Sequence, residues 1–167
     1  MKLTYGNKAP ELVNVLIEVP LNSKVKYEFD KEAEVVTVDR FLYFDRGYPA
    51  NYGFIPDTLS GDGDPVDVLV LSPEVLAPGV VIAAKPIGML ETEDESGQDA
   101  KVVAVPTEKA NPEFGKYNDV SELPEEIKEE IKYFFENYKK NEPGKWVKVK
   151  DWKGRQDALL EIKKGMK

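Results

Sequence analysis

Three aspartates fall within six residues, at Asp62, Asp64 and Asp67. The apolar run at residues 68–71 follows at once, and its short, β-branched pattern predicts a buried strand. The carboxylates are therefore expected on a rigid turn. Like charges this close repel and raise one another's pKa, and a hard divalent cation such as Mg²⁺, Ca²⁺ or Mn²⁺ removes that repulsion. The spacing indicates a metal site.

A solvated Asp-Gly turn is the simpler interpretation of this segment, and such turns are common. The third aspartate and the strand behind it favour metal binding. An EF-hand is excluded, because an EF-hand loop counted from Asp62 needs glycine at position 67 and glutamate at position 73. The sequence has Asp67 and Pro73 there.

A second acidic segment occupies residues 91–101 and includes Asp94 and Asp99. A charged hairpin tip is the commonest use of such a sequence. The alternative is a second set of metal ligands, with Lys101 returning positive charge beside them. The residues alone leave both interpretations open.

The composition of the 167 residues narrows the possible chemistry. The absence of cysteine excludes disulfides and cysteine-ligated zinc, and the absence of histidine excludes a Ser-His-Asp triad and histidine-ligated metals. Catalysis would have to use Asp, Glu, Lys, Arg, Tyr or a bound metal. The net charge of −8 disfavours a nucleic-acid binder, because phosphate contacts normally require a basic surface.

No apolar run approaches the roughly 20 residues needed to span a bilayer, and the N-terminus lacks the apolar core of a signal peptide. We therefore predict a cytoplasmic protein without a membrane partner. Abundant Lys and Glu without cysteine indicate a thermophilic source.

The elements that must position these groups are mostly strands. Alternation and short apolar runs predict strands at 13–19, 24–29, 35–41, 68–71, 80–90, 102–105 and 146–149. Residues 48–56, rich in aromatics, Pro and Gly, are predicted as an ordered loop. Many short strands with two late helices predict one domain over residues 1–167, built as a small closed barrel flanked by helices.

Two helices are predicted near the C-terminus. The first is expected to be capped by Ser121, with Pro124 in its first turn. Its apolar stripe ends at Tyr138, so the hydroxyl group of that tyrosine can reach past the helix end. The second is expected to be capped by Asp151.

Residues 61–70, GDGDPVDVLV, resemble the signature of the magnesium-dependent inorganic pyrophosphatases of family I. Residues 38–41, 48–53 and 98–101 match in the expected order, and the resemblance covers nearly the whole chain. It implies an α+β, mainly β fold, an OB-like five-stranded closed barrel flanked by two helices in the C-terminal part. The compact length is similar to the prokaryotic type, which usually forms homohexamers.

The resemblance implies hydrolysis of inorganic diphosphate to two orthophosphates, using several Mg²⁺ ions per active site that Mn²⁺ or other divalent ions can replace. Asp62, Asp67 and Asp99 would hold the metals that carry the nucleophilic water, with Asp67 bridging two of them. Asp94 would join Asp99 at a further metal. Asp64 would be the general base.

The remaining matched positions surround these aspartates. Glu18 and Glu28 would steady outer waters and metals, and Tyr48 would support the site. The groups expected to bind phosphate oxygens are Lys26, Arg40, Tyr52, Lys101, Tyr138 and Lys139.

Two other functions are weighed against this one. A non-catalytic OB-type nucleic-acid-binding module would need basic residues and exposed aromatics along one sheet face, and the acidic balance disfavours it. A structural calcium-binding protein would bind Ca²⁺ tightly without turnover, since Ca²⁺ takes more ligands at longer distances than Mg²⁺.

Overall fold

A computed structural model describes residues 2–167 of the chain. Within that range the secondary structure comprises eight strands, three α-helices and one 3₁₀ turn at Val120–Glu122. The strands are β1 (Val13–Val19), β2 (Val25–Asp30), β3 (Val35–Phe41), β4 (Asn51–Phe54), β5 (Asp67–Val70), β6 (Val81–Asp94), β7 (Gly97–Pro106) and β8 (Val147–Gly154). The helices are α1 (Pro112–Gly115), α2 (Glu125–Asn137) and α3 (Arg155–Gly165).

Five strands close into a ring in the order β1, β4, β5, β7, β6, with β6 pairing back to β1. All neighbours in the ring are antiparallel except β5 and β7, which are parallel. The eighth strand pairs with β6 outside the ring. Strands β2 and β3 form a separate two-stranded sheet, here called the ribbon. The predicted five-stranded closed barrel is confirmed.

Side chains of the ring strands alternate between two apolar clusters, as the pleat requires. Val68 and Val70 of β5 belong to one cluster, together with Ile162 of α3. Leu69, between them in the chain, belongs to the other cluster with Phe134 of α2. Helices α2 and α3 therefore cover different faces of the sheet, and the end of α2 is fixed against the barrel.

Several predicted boundaries are wrong. Residues 51–54, predicted as loop, form β4, because pairing with β1 and β5 overrides the weak strand propensity of Asn and Gly. The acidic segment at 91–101 is almost entirely paired strand, and only Glu95 and Ser96 lie between β6 and β7. Its aspartates therefore lie on a rigid hairpin.

Both predicted helix caps are also wrong. Ser121 lies within the 3₁₀ turn, Pro124 is the N-cap of α2, and Asp151 belongs to β8. Asp119 caps the 3₁₀ turn instead, accepting the Ser121 N–H at 3.0 Å, and its other oxygen accepts the Arg155 N–H at 3.1 Å where α3 begins. The second contact comes from a distant part of the chain, so local patterns could not reveal it.

Across residues 2–167, no helix combines the length and the apolar character that a bilayer crossing needs.

Candidate active site

A polar cavity of about 330 Å³ lies where β1, the ribbon, the turn before β5, the β6–β7 hairpin and the end of α2 meet. All of the site residues predicted from the sequence line it, and they come from these five parts of the fold together with β4 and the segment before it. They are Glu18, Lys26, Glu28, Arg40, Tyr48, Tyr52, Asp62, Asp64, Asp67, Asp94, Asp99, Lys101, Tyr138 and Lys139. Residues spread over most of the chain thus share one cavity, and their individual roles remain predictions.

The parallel pairing of β5 and β7 places Asp67 beside Lys101 in register. The Lys101 ammonium lies 2.9 Å from Asp67 Oδ2 and 2.6 Å from Asp99 Oδ2, and it donates to the Tyr52 hydroxyl at 2.8 Å. Burial opposes the charge of this lysine, but the negative charges of Asp67 and Asp99 outweigh burial and raise the Lys101 pKa well above its usual value. Lys101 is therefore a buried cation held by two carboxylates.

The turn before β5 is ordered by its own hydrogen bonds. Asp62 Oδ1 accepts the Asp64 N–H at 3.0 Å, and the carbonyl of Asp64 accepts the Ser60 N–H at 2.6 Å. Gly63 has a φ of 90°, a left-handed conformation that glycine adopts without steric cost. The buried Thr58 hydroxyl accepts the Val66 N–H at 3.0 Å and fixes the far end. The carboxylate of Asp64 is held exposed at the cavity rim.

Three cavity carboxylates carry raised pKa values. Burial raises the pKa of Glu18 to about 7, although its carboxylate accepts the Phe29 N–H at 2.7 Å. Burial also raises the pKa values of Asp62 and Asp99. Such groups lack sufficient countercharge, and their all-oxygen donors suit a hard divalent cation. The donor set therefore fits the predicted kind of metal.

In the described residues, however, the cavity carboxylates do not form a ready-made cluster of metal ligands. Among residues 2–167, no three of them are close enough to hold an ion as they stand. Lys101 lies between Asp67 and Asp99, and the Lys139 ammonium lies 3.1 Å from Asp94 Oδ2 and 3.2 Å from Glu95 Oε1. Lysines supply the positive charge in this arrangement, so these side chains must shift for the aspartates to share an ion.

The ribbon contributes cations from its two strands. Arg40 lies opposite Lys26 because of a bulge at Asp39, since the next pair in register is Tyr27 with Val38. Asp39 Oδ2 accepts from Arg40 Nη1 at 2.6 Å and lies 3.3 Å from the Lys26 ammonium. The extra residue places Arg40 directly opposite Lys26, and its carboxylate contacts both cations.

Tyrosines form the wall between β4 and α2. The buried ring of Tyr48 lies 5.2 Å from the ring of Tyr52 and 6.3 Å from that of Tyr138, measured between centroids. Burial holds the pKa values of Tyr48 and Tyr52 well above their ordinary range, so both stay neutral. Tyr48 therefore acts as a rigid spacer between two hydroxyls that line the cavity.

Residues 15–167 match the family model described as inorganic pyrophosphatase. The chain belongs to the inorganic pyrophosphatase family. It is 56% identical over 166 residues to the inorganic pyrophosphatase of Aeropyrum pernix, covering 99% of this chain and 94% of that protein. It is 57% identical over 164 residues to that of Aquifex pyrophilus, covering 98% and 93%.

A solved inorganic pyrophosphatase from Thermus thermophilus superposes with a TM-score of 0.95 at 46% identity, covering 99% of this chain and 95% of that one. Its likeness confirms the OB-like pyrophosphatase fold. Like its relatives in the family, the chain is an inorganic diphosphatase that hydrolyses diphosphate. The nucleic-acid-binding and structural calcium alternatives are not favoured.

Sequence reasoning missed several residues of the cavity. Glu95 at the hairpin tip and Lys145 after α2 are charged, and both contact predicted site residues or their partners. Glu95 adjoins Asp94 in an acidic run, so its position was a usable signal. The full set missed is Phe29, Lys31, Phe54, Pro65, Glu95, Ser96 and Lys145.

Proposed function

We propose that this cavity hydrolyses inorganic diphosphate with Mg²⁺ as the preferred cation and Asp64 as the general base. One observation carries the proposal: acidic side chains and a group of lysines, an arginine and tyrosines line the same cavity. Diphosphate is itself an anion, so the acidic side chains need cations to approach it and the basic ones can bind it directly.

Divalent cations bound to Asp62, Asp67, Asp94 and Asp99 would lower the pKa of the attacking water and neutralise charge on the phosphate oxygens. Asp64 accepts the proton of that water, because its carboxylate is exposed at the rim and its backbone is fixed by the turn. Glu18 and Glu28 orient outer water molecules from β1 and the ribbon.

The basic and phenolic groups bind the phosphates. Arg40 can contact two oxygens at once, and lysines act as point charges. Tyrosines donate hydrogen bonds without adding charge, and Tyr48 holds two of them in place. The proposed phosphate ligands are Lys26, Arg40, Tyr52, Lys101, Tyr138 and Lys139.

Phosphate release from diphosphate and from ATP, measured with Mg²⁺, with Mn²⁺ and after chelation, tests the proposal. We expect turnover of diphosphate with Mg²⁺ and none after chelation. Asp67→Asn should abolish turnover with little change in melting temperature, whereas Asp57→Asn, at an exposed ion pair with Lys2, should leave it unchanged. A fully active Asp67→Asn variant would refute the assignment.

We further propose a cytoplasmic homohexamer of single-domain chains that binds neither nucleic acid nor membranes, as the resemblance implies. Phe41, at the end of β3, and Tyr43, two residues later, are each 68% exposed. These exposed aromatic side chains support an association surface at the end of the ribbon. Sedimentation velocity gives the subunit number, and a monomer at micromolar concentration would refute it. Salt-dependent binding of single-stranded oligonucleotides without hydrolysis would revive the nucleic-acid alternative.

A further inference from the structure

We propose that Glu142 is a positioning residue that fixes the orientation of Arg40 towards the substrate. This inference rests on the proposed role of Arg40 as a phosphate ligand. Glu142 lies in the segment after α2, and its side chain is only 7% exposed. Its Oε1 lies 2.5 Å from Arg40 Nε. Arg40 lines the cavity and Glu142 does not, so any effect of Glu142 on the substrate acts through another residue.

Two of the three nitrogens of the Arg40 guanidinium contact carboxylate oxygens. Nε faces Glu142, and Nη1 donates to Asp39 Oδ2 at 2.6 Å. Within residues 2–167, Nη2 has no hydrogen bond to the protein. Because the guanidinium is planar and rigid, fixing two nitrogens fixes the direction of the third. The nitrogen left over is therefore presented to a ligand in a defined orientation.

The contact is a poor way to stabilise a fold. The Nε–H of Arg40 is not aligned with its carboxylate partner, and Glu142 Oε2 is buried without any hydrogen-bond donor. A buried carboxylate with an unpartnered oxygen costs free energy, and apolar replacements of buried ion pairs are often neutral or stabilising. A role in orienting Arg40 explains the burial of the Glu142 carboxylate, which a gain in fold stability does not explain.

Glu142 also joins two walls of the cavity. Its backbone N–H donates to the carbonyl of Lys139 at 3.1 Å, and its carbonyl accepts the Lys145 N–H at 3.2 Å. Both lysines line the cavity from the α2 side, whereas Arg40 belongs to the ribbon. One side chain therefore sets the position of Arg40 relative to the cations on the opposite wall.

A double-mutant cycle of Glu142→Gln with Arg40→Ala tests the proposal. Glutamine keeps the size of the side chain and removes the charge. We expect Glu142→Gln to lower kcat/KM for diphosphate by about tenfold, mainly through KM, and to change it less than about twofold when Arg40 is already alanine. Glu136→Gln, at an exposed ion pair on α2, is the matched control and should keep kcat/KM and KM.

The other outcomes separate the possible failures. Equal losses in both backgrounds, together with a lower melting temperature, would assign Glu142 to stability and overturn the proposal. Normal kinetics for Glu142→Gln with impaired Arg40→Ala would refute only the positioning role. Normal kinetics for Arg40→Ala would refute the proposed role of Arg40 itself. If Glu142→Gln does not fold, Glu142→Asp, which keeps the charge, takes its place in the cycle, and failure of both to fold overturns the proposal.

Discussion

The Lys101 ammonium donates a 2.8 Å hydrogen bond to the Tyr52 hydroxyl, and both groups are buried. The hydroxyl oxygen of Tyr52 accepts this bond, so its own proton remains free for another acceptor. Both side chains line the cavity. The Tyr52 hydroxyl can therefore donate its proton to a phosphate oxygen, as the proposed function requires, while it accepts from the lysine.

Replacing Tyr52 by phenylalanine removes that donor and keeps the ring. We expect kcat/KM for diphosphate to fall by about tenfold or more, because hydrogen bonds to charged groups contribute roughly 1.5–3 kcal/mol. Steady-state kinetics provide the measurement. Tyr133→Phe, on the exposed side of α2, is the control and should behave like the unsubstituted chain. Unchanged kcat/KM in Tyr52→Phe would contradict this assignment.

The variant Lys101→Met tests whether Lys101 and a divalent cation balance the same negative charges on Asp67 and Asp99. Without this lysine, Asp67 and Asp99 are left close together without a countercharge, so the chelated protein should lose about 3–5 kcal/mol of its unfolding free energy. Added Mg²⁺ should reduce that loss, because the cation supplies positive charge at the same carboxylates. Urea denaturation with chelator and with Mg²⁺ measures both values. An identical loss under the two conditions would show that the lysine and the cation do not compensate the same charges.

Asn51 is a buried hub whose two amide atoms are both engaged. Its oxygen accepts the N–H groups of Leu21 and Leu76, each at 2.9 Å, and its nitrogen donates to the carbonyl of Glu74 at 3.0 Å. Asn51→Asp places a carboxylate oxygen against that carbonyl, so we expect a loss of about 3 kcal/mol or more in urea denaturation. Asn14→Asp, at a less buried site, should cost far less. Equal costs would mean that the hub does not depend on the amide donor.

Asp119 predicts a pH dependence of stability. Hydrogen bonds from the backbone N–H groups of Ser121 and Arg155 lower the pKa of Asp119 below its ordinary 3.8. A lowered pKa means that the stabilisation is complete above the ordinary value and is lost as pH falls through the lowered one. Asp119→Ala should cost about 1 kcal/mol at neutral pH, and the gap should narrow in acid. Urea denaturation at a series of pH values measures the difference in unfolding free energy between the unsubstituted chain and Asp119→Ala. Asp151→Ala, at an exposed position, is the control. A difference that stays constant with pH would contradict the prediction.

Apolar pattern and spacing predicted most of the barrel. The run at residues 68–71 identified β5 apart from one residue at each end, and the stripe ending at Tyr138 identified α2. The secondary-structure predictions that were wrong concern segments whose structure depends on pairing with distant parts of the chain. Strand β4 contains Asn51 and Gly53, which have poor strand propensity, and it exists because two neighbours pair with it.

The site shows the same division. All of the site residues predicted from the aspartate spacing and the resemblance line the cavity, because residue type and order are visible in a sequence. The bulge at Asp39 and the burial of Glu142 depend on register and on loop placement, which a sequence does not display. The insertion of Lys101 between Asp67 and Asp99 likewise depends on the parallel pairing of β5 with β7.

The ribbon has a consequence for how the enzyme can move. Ring strands are hydrogen-bonded on both sides, so their amide hydrogens should exchange with solvent only when the whole fold opens. Strands β2 and β3 form a sheet of their own, so exchange there can proceed through a smaller opening. That opening would loosen the wall bearing Lys26 and Arg40 while the ring strands bearing Asp67 and Asp99 stay closed, so under the proposed function orthophosphate would leave past the ribbon.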